Sequence, residues 1–185
     1  SPLATLIERQ GDKPLPSISG VIAARSDQKD IQSLADLAGK RIAVSSKAEL
    51  GGYMAQAYEM MQRGIQLPDD ARILETGPPQ DQAIAELLAG HADAAFVRTG
   101  LIEAMEKDKK LDVRRLRIIN AKKDDYPLIH STRLYPEWPL AAMPWADERF
   151  ARQLAAAILT LPHNGDVAMA ANIYGFSIPA DYRPV

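Results

Sequence analysis

The chain contains no cysteine among its 185 residues, and this absence excludes several kinds of site. Without thiols there is no disulfide, no thiolate metal centre and no cysteine nucleophile. The three histidines, His91, His130 and His163, lie far apart and share no ligand spacing such as HExxH. The sequence therefore predicts neither a metal nor any other cofactor, and a chain without cysteine suits the cytosol and the periplasm equally.

The chain also lacks an excess of charge of one sign, and it lacks long apolar runs. The 22 basic and 24 acidic residues are mixed along the chain, and the net charge is −2. Because there is no basic stripe, nucleic acid is not a predicted partner, and no run approaches the roughly 18 apolar residues of a membrane span. What is present, 46% hydrophobic and 25% charged residues, is typical of a globular protein.

Segments typical of strands alternate with segments typical of helices. An irregular or extended lead-in is predicted over residues 1–19, and strands are predicted at 19–25, 41–46, 71–77, 93–99, 116–120 and 127–132. Helices are predicted at 33–40, 52–64, 79–90, 100–107, 147–161 and 165–173. This alternation predicts the α/β class, with a mostly parallel sheet that carries helices on both faces.

Ligands of open α/β sheets bind at the carboxyl ends of the strands, where helix N-termini also point. Three such ends are rich in small or polar residues, at 45–53, 75–81 and 97–100. Each also has a purely structural interpretation: a strand-to-helix turn, prolines that open a helix, and a surface salt bridge. We predict that these ends supply the ligand-binding residues Ser45, Ser46, Gly51, Gly52, Tyr53, Thr76, Gln80, Arg98 and Thr99.

Signals of catalysis are absent from the sequence. There is no GxSxG motif, no nucleophile beside a plausible base and no carboxylate pair in an acid–base arrangement. The sequence therefore predicts a binding domain rather than an enzyme.

Several stretches together carry a resemblance to a known family: GVIAARSDQKDIQSLADLAGKRIAV (20–44), SSKAELGGY (45–53), ETGPPQDQAIAELLAGHADAAFVRTGLIEAM (75–105), HSTRLYPEWPLAAMP (130–144) and SIPADYRPV (177–185). They resemble the phosphonate-type solute-binding fold, a type 2 periplasmic-binding-protein-like fold. This fold serves as the extracytoplasmic sensor domain of bacterial membrane histidine kinases, including those that sense tetrathionate.

The resemblance implies two α/β lobes joined by crossing strands, with a small-molecule ligand in the cleft between them. Residues 20–128 would form the second lobe, and residues 1–19 and 129–185 would form part of a first lobe that is truncated in this chain. The apolar stretches 158–161 and 168–176 would then be uncovered, so we expect self-association there or poor order, and weak ligand binding.

The segment 130–144 would follow the return crossing and line the cleft mouth or hinge. This adds Ser131, Arg133 and Tyr135 to the predicted ligand site. Because prolines at 136, 139 and 144 restrict the backbone, we also expect Tyr135 and Trp138 to be buried by packing.

The function that the resemblance implies is ligand sensing. The chain would be the non-catalytic periplasmic domain of an inner-membrane sensor histidine kinase, anchored in the membrane in its full-length form and able to form a homodimer. Two alternatives remain open: a solute-binding protein of an ABC transporter, for phosphonate or another small anion, and the effector domain of a transcription regulator.

One departure from the family pattern concerns the ligand. Phosphonate carriers place Ser-Thr-Ser before the Gly-Tyr that starts the helix, and this chain has Glu49, Leu50 and Gly51 there. A helix N-terminus attracts an anion by about 0.3–1 kcal/mol, and up to about 2 when partly buried. A carboxylate at about 4 Å opposes it by about 4 kcal/mol at an effective dielectric of 20. Phosphonate is therefore not the expected ligand, and Arg98 or Arg133 would hold any anion.

Overall fold

The structure, a computed structural model, describes all residues from Ser1 to Val185 and divides into two compact units. Residues 1–18 and 134–185 form the terminal unit, and residues 19–133 form the central unit. The sequence placed 129–133 with the terminal residues, whereas Ser131 and Thr132 bond to the backbone of Gly20 and Ile22 in the central unit. That the two units act as lobes of a ligand-binding protein stays a prediction.

The regular elements alternate along the central unit as the sequence predicts. The strands are β1 (Pro2–Gln10), β2 (Lys13–Leu15), β3 (Ser17–Ile18), β4 (Gly20–Arg25), β5 (Arg41–Val44), β6 (Arg72–Glu75), β7 (Ala94–Arg98), β8 (Leu116–Ile118), β9 (Tyr135–Pro136), β10 (Pro139–Ala141) and β11 (Gly175–Ser177). The α-helices are α1 (Ala55–Met61), α2 (Asp81–Leu88), α3 (Leu101–Lys107), α4 (Glu148–Leu159) and α5 (Asp166–Ala170). Short 3-10 helices span Leu34–Leu37 and Val113–Arg115, and a π-helical turn, Leu50–Met54, leads into α1.

The central unit contains a five-stranded mixed sheet in the order β6-β5-β7-β4-β8. Strands β5, β6 and β7 are parallel, and β4 runs antiparallel to both β7 and β8. The three parallel strands therefore end at one edge of the sheet.

Both faces of this sheet are covered, because neighbouring side chains of each strand enter different apolar clusters. Ile42 and Val44 of β5 pack in the cluster that contains Met60 of α1. Ala43, between them, packs in the cluster that contains Ile84 of α2 and Ile102 of α3. Because both faces of the strands are buried, their sequences are continuous apolar runs and do not alternate between apolar and polar residues.

The terminal unit is built around β1, which is part of the lead-in that the sequence described only as irregular or extended. β1 pairs antiparallel with β10, β11 and β2, and β3 pairs with β9. Helix α4 begins after Asp147, whose side chain accepts a hydrogen bond from the amide of Phe150 at 2.7 Å. No helix in the structure has the length and apolar character needed to cross a membrane.

The predicted strand at 127–132 is wrong. This segment forms no regular strand, although the amide of Ser131 donates to Gly20 O in β4 at 2.8 Å. Its sequence, PLIHST, has strand-forming residues, but the hydroxyls of Ser131 and Thr132 accept hydrogen bonds from the β4 amides of Ile22 and Gly20, and these bonds take the place of a regular ladder.

Candidate functional site

The parallel strands of the central sheet bring three predicted site residues to one edge. Ser45 follows β5, Thr76 follows β6 and Thr99 follows β7. The amide of Thr76 donates to Val44 O at 2.8 Å, and the amide of Gly77 donates to Ser45 O at 3.0 Å, so the ends of β5 and β6 stay in register. We call this group of residues after the three strands the strand-end edge.

The chain from Ser45 to Tyr53 turns from β5 into a continuous helical segment, Leu50–Met61. Gly51, Gly52 and Tyr53 are buried, and Ser46 caps the turn before them by accepting from the amide of Ala48 at 3.2 Å. The amides of Leu50, Gly51 and Gly52 donate to no acceptor in the chain, as is usual for the first turn of a helix. This segment therefore presents backbone donors at the strand-end edge.

Gln80 links two sides of this edge. Its Oε1 accepts from the amide of Arg98 at 2.8 Å, and its Nε2 donates to Glu49 Oε2. The contact between Gln80 and Glu49 lies against Gly52, where a Cβ atom would be 3.0 Å from Gln80 Nε2 and closer still to Glu49 Oε2. Glycine at 52 thus leaves the space that the Glu49 carboxylate and the Gln80 amide occupy.

Two hydroxyl groups near this edge are buried without a hydrogen-bond partner. Ser45 is only 2% exposed, and neither its Oγ nor the Tyr53 hydroxyl has a partner in the chain. The Tyr53 ring packs in the apolar cluster, 6.5 Å from the ring of Phe96. Burial, with a smaller contribution from Glu75 and Asp69, raises the pKa of Tyr53, so its hydroxyl remains a protonated donor.

Gln56 is a buried polar residue beside the strand-end edge that sequence reasoning missed. It is completely buried in α1, and its Nε2 lies 2.8 Å from Gly51 O, 3.1 Å from Val97 O and 3.3 Å from Val21 O. Gly20 has no room for a Cβ because the Gln56 amide occupies that space. The sequence does contain a pattern that indicates a buried glutamine. Tyr53, Gln56 and Met60 share one face at helical spacing, and Gln56 is the polar residue on that otherwise apolar face.

The two arginines proposed as anion contacts differ. The guanidinium of Arg133 lies 4.3 Å from the centre of the Tyr58 ring, in a cation–π contact, and its amide donates to Glu59 Oε1 at 2.9 Å. Arg98 is exposed, and its guanidinium makes no ion pair or hydrogen bond in the chain. Of the two, Arg98 is the cation available at the strand-end edge.

Three other predicted residues already use their polar groups within the fold. Thr76 Oγ1 donates to Gly77 O at 3.0 Å, and Thr99 Oγ1 accepts from the amide of Ser19 at 3.3 Å. Ser131 Oγ accepts from the amide of Ile22 at 2.9 Å. These contacts make the three hydroxyls structural, and a direct ligand role for them stays a prediction.

The corner that begins at residue 130 is divided between the two units. Tyr135 is buried in the terminal unit, where β9 pairs with β3, and its predicted ligand contact remains a prediction. The predicted burial of Trp138 is wrong, because 62% of this residue is exposed. Its carbonyl accepts from the amide of Leu6 at 2.9 Å, so the backbone is anchored while most of the residue remains exposed to solvent.

A series of contacts that resembles the Ser-His-Asp triad of hydrolases joins Ser19, His130 and Asp124. His130 Nε2 lies 3.0 Å from Asp124 Oδ1, and Nδ1 lies 3.4 Å from Ser19 Oγ. However, Nδ1 lies only 2.9 Å from Thr132 O, a carbonyl that can only accept, so this nitrogen carries a proton and is not free to act as a base toward Ser19. The His130 hydrogen bond is the main cause that lowers the pKa of Asp124, and the network is structural.

Comparison with known proteins gives consistent relatives. The sequence profile of a family described as "ABC transporter, phosphonate, periplasmic substrate-binding protein" matches residues 1–182. Among curated proteins, the tetrathionate sensor histidine kinase of Salmonella typhimurium is 24% identical over 160 residues, which are 86% of this chain and 27% of the kinase. The chain therefore spans about a quarter of the length of that kinase.

Solved structures agree with the fold. XAC2383 from Xanthomonas citri, bound to ATP, superposes with a TM-score of 0.73 at 20% identity over 98% of this chain and 65% of its own. A binding protein of a phosphonate transporter from Pseudomonas aeruginosa gives 0.67 at 16% identity, over 96% of this chain and 57% of its own. PhnD1 from Prochlorococcus marinus, in complex with methylphosphonate, gives 0.65 at 16% identity, over 100% and 69%. The predicted type 2 periplasmic-binding-protein-like α/β fold is confirmed.

Proposed function

The chain belongs to the periplasmic substrate-binding protein family of phosphonate ABC transporters, and from this premise we propose that it is the ligand-sensing extracytoplasmic domain of a membrane sensor histidine kinase. Members of this family bind a small molecule, so the domain itself is a binding module rather than a catalyst. The kinase activity and the membrane anchor of the full-length protein are part of the proposal.

The observation that carries this proposal is the relationship to the tetrathionate sensor kinase, which covers 86% of the chain. The second candidate, a binding protein that serves a transporter, is supported by the family itself and by the fold it shares with the phosphonate-transport proteins. Both candidates require a ligand site, and they differ in the event that ligand binding triggers.

The strand-end edge is the ligand site that we propose. It combines backbone donors at Leu50–Gly52, the buried hydroxyl of Ser45 and the unpaired guanidinium of Arg98. A ligand that binds one conformation of the domain more tightly than another shifts the equilibrium by its difference in affinity, and this shift is the signal that reaches the kinase. The interlobe cleft and lobe closure that the family resemblance implies remain part of this proposal.

The full-length protein separates the two candidates. For the sensor, we expect membrane spans beside this domain and a kinase region that autophosphorylates in membrane vesicles with labelled ATP. A secretory signal followed by this domain alone, with no autophosphorylation, would assign the protein to a transporter. A helix-turn-helix ahead of the domain would assign it to transcription regulation.

A further inference from the structure

Glu49 places a carboxylate against the first turn of the helical segment Leu50–Met61. Its Oε2 accepts from Gln80 Nε2 and lies so close to Gly52 that no β-carbon would fit there. The segment starts with three amides that have no acceptor, a place where an anion is ordinarily favoured. The chain thus supplies its own negative charge at a position suited to an external anion.

The position of the Glu49 carboxylate is fixed by hydrogen bonds that lead from Arg98 at the end of β7, through Gln80, to Glu49. Gln80 Oε1 accepts from the amide of Arg98, which orients the Gln80 amide so that its nitrogen faces Glu49. A glutamine nitrogen donates and cannot accept, so an acceptor at Glu49 completes the link. The carboxylate is therefore held at the edge rather than free to swing into solvent.

Two groups with unused bonding capacity lie on the same edge as Glu49, at the ends of β5 and β7. Ser45 Oγ is buried with no partner, and the Arg98 guanidinium has neither an ion pair nor a hydrogen bond. These are independent of the helix start, and they indicate that the edge is built for a polar molecule. Such a molecule meets a negative group at Glu49 and a positive group at Arg98.

Resting on the proposed function, we propose that Glu49 determines the ligand specificity of the strand-end edge. Glu49 accepts a hydrogen bond from a donor-bearing group of the ligand, of the ammonium, amide or hydroxyl class, and it excludes the dianionic head group of a phosphonate. Like charges in a partly buried site repel strongly, and rejection of the wrong partner is a common source of specificity. Arg98 remains available to an acidic group elsewhere on the same ligand.

The test is calorimetric titration of the full-length protein with methylphosphonate, for the wild type and Glu49→Gln. Glutamine keeps the shape of the side chain, and its amide oxygen accepts from Gln80 as the carboxylate does, so only the charge is lost. We expect Glu49→Gln to bind methylphosphonate at least about tenfold more tightly than the wild type, which corresponds to about 1.4 kcal/mol. Glu49→Ser, which also opens the space beside Gly52, is expected to change in the same direction.

Glu75→Gln is the matched control. Glu75 lies at the end of β6 and accepts from the amide of Lys47 at 2.9 Å, so this variant removes one negative charge from the same edge but not from the helix start. The inference is overturned if the wild type binds methylphosphonate as tightly as Glu49→Gln, if neither Glu49 variant gains affinity, or if Glu75→Gln gains as much. Because these are binding measurements, their failure leaves the autophosphorylation test of the sensor function intact.

Discussion

At the scale of the residue, Gln56 connects three elements through one amide group. Its Nε2 lies within hydrogen-bond distance of carbonyl oxygens in β4, in β7 and at Gly51, and it is fully buried. A buried carbonyl that loses its donor retains the full desolvation cost. The orientation of the strand-end edge therefore depends on a residue that does not itself contact ligand in our proposal.

We predict that Gln56→Met lowers the free energy of unfolding by about 1–2 kcal/mol, because methionine fills the space but removes the buried hydrogen bonds that the Gln56 amide nitrogen donates. Urea denaturation measures this change. Gln62→Met is the control, since Gln62 is exposed at the end of the same helix, and we expect it to change stability by less than about 0.5 kcal/mol. Equal stability of the wild type and Gln56→Met would show that the three carbonyls do not depend on this amide.

Asp93 gives a pH dependence whose sign follows from its surroundings. The side chain of Arg41 donates to it at 2.8 and 3.0 Å, and this is the main cause that lowers the pKa of Asp93 below its ordinary value of 3.8. A carboxyl whose pKa is lowered in the folded state adds stability above the ordinary pKa. That contribution is lost as the pH falls through the folded-state pKa.

We therefore expect Asp93→Asn to lower the free energy of unfolding by about 1 kcal/mol at pH 7, since the pair is partly exposed and weakened by solvent. The difference from the wild type should shrink below a pH of about 4. Unfolding curves at several pH values measure it. The control is Asp112→Asn, which breaks the exposed pair with Arg114 and is expected to change the free energy of unfolding little. If the difference in unfolding free energy between the wild type and Asp93→Asn grew in acid, the assignment would be contradicted.

At the scale of the element, the parallel strands and their helices follow from the sequence, whereas the segment 127–132 does not. Two-sided burial gives β5 and β7 continuous apolar runs, and these are recognisable without a structure. The PLIHST segment has a similar composition but is held to β4 by side chains, a choice that depends on the neighbouring backbone. Helix α1 likewise ends at Met61, three residues before the glycine at 64 that the sequence used as its stop.

Thr132 is the side chain on which this irregular segment depends most. Its Oγ1 accepts from the amide of Gly20 at 2.9 Å and lies 2.8 Å from Ser19 Oγ, and the residue is fully buried. We predict that Thr132→Val, which keeps the shape, costs about 1–3 kcal/mol of unfolding free energy and speeds hydrogen exchange at the Gly20 amide. Thr160→Val, at an exposed position, is the control; unchanged exchange at Gly20 would refute the role of Thr132.

At the scale of the whole molecule, the sequence predicted that the residues after three strands meet at one edge, but not how they interact and not where Ser131, Arg133 and Tyr135 lie. Parallel strand order alone places Ser45, Thr76 and Thr99 together. The link from Arg98 through Gln80 to Glu49 depends on side-chain conformations that no spacing rule encodes. The exposure of Trp138 could not be predicted from the sequence either, because the nearby prolines restrict the backbone but do not supply side chains that would cover the indole ring.

The terminal unit exposes several large apolar side chains, namely Trp138, Trp145, Phe150 and Ile178. These residues lie outside the stretches 158–161 and 168–176, where self-association is expected and where Leu159 and Met169 are the exposed large apolar side chains. The expected self-association of the chain stays a prediction, and sedimentation velocity at micromolar concentrations measures it. We expect a species larger than the monomer that weakens in Met169→Lys; a strictly monomeric wild-type chain would contradict the prediction.

The central claim, that ligand binding at the strand-end edge drives a kinase, is tested most directly in membrane vesicles that carry the full-length protein. The measurement is the rate of autophosphorylation with and without methylphosphonate, for the wild type and Glu49→Gln. We predict no response from the wild type and a changed rate in Glu49→Gln, because only that variant admits the probe to the edge. A Glu49→Gln protein that binds methylphosphonate while its autophosphorylation rate stays the same would contradict the account.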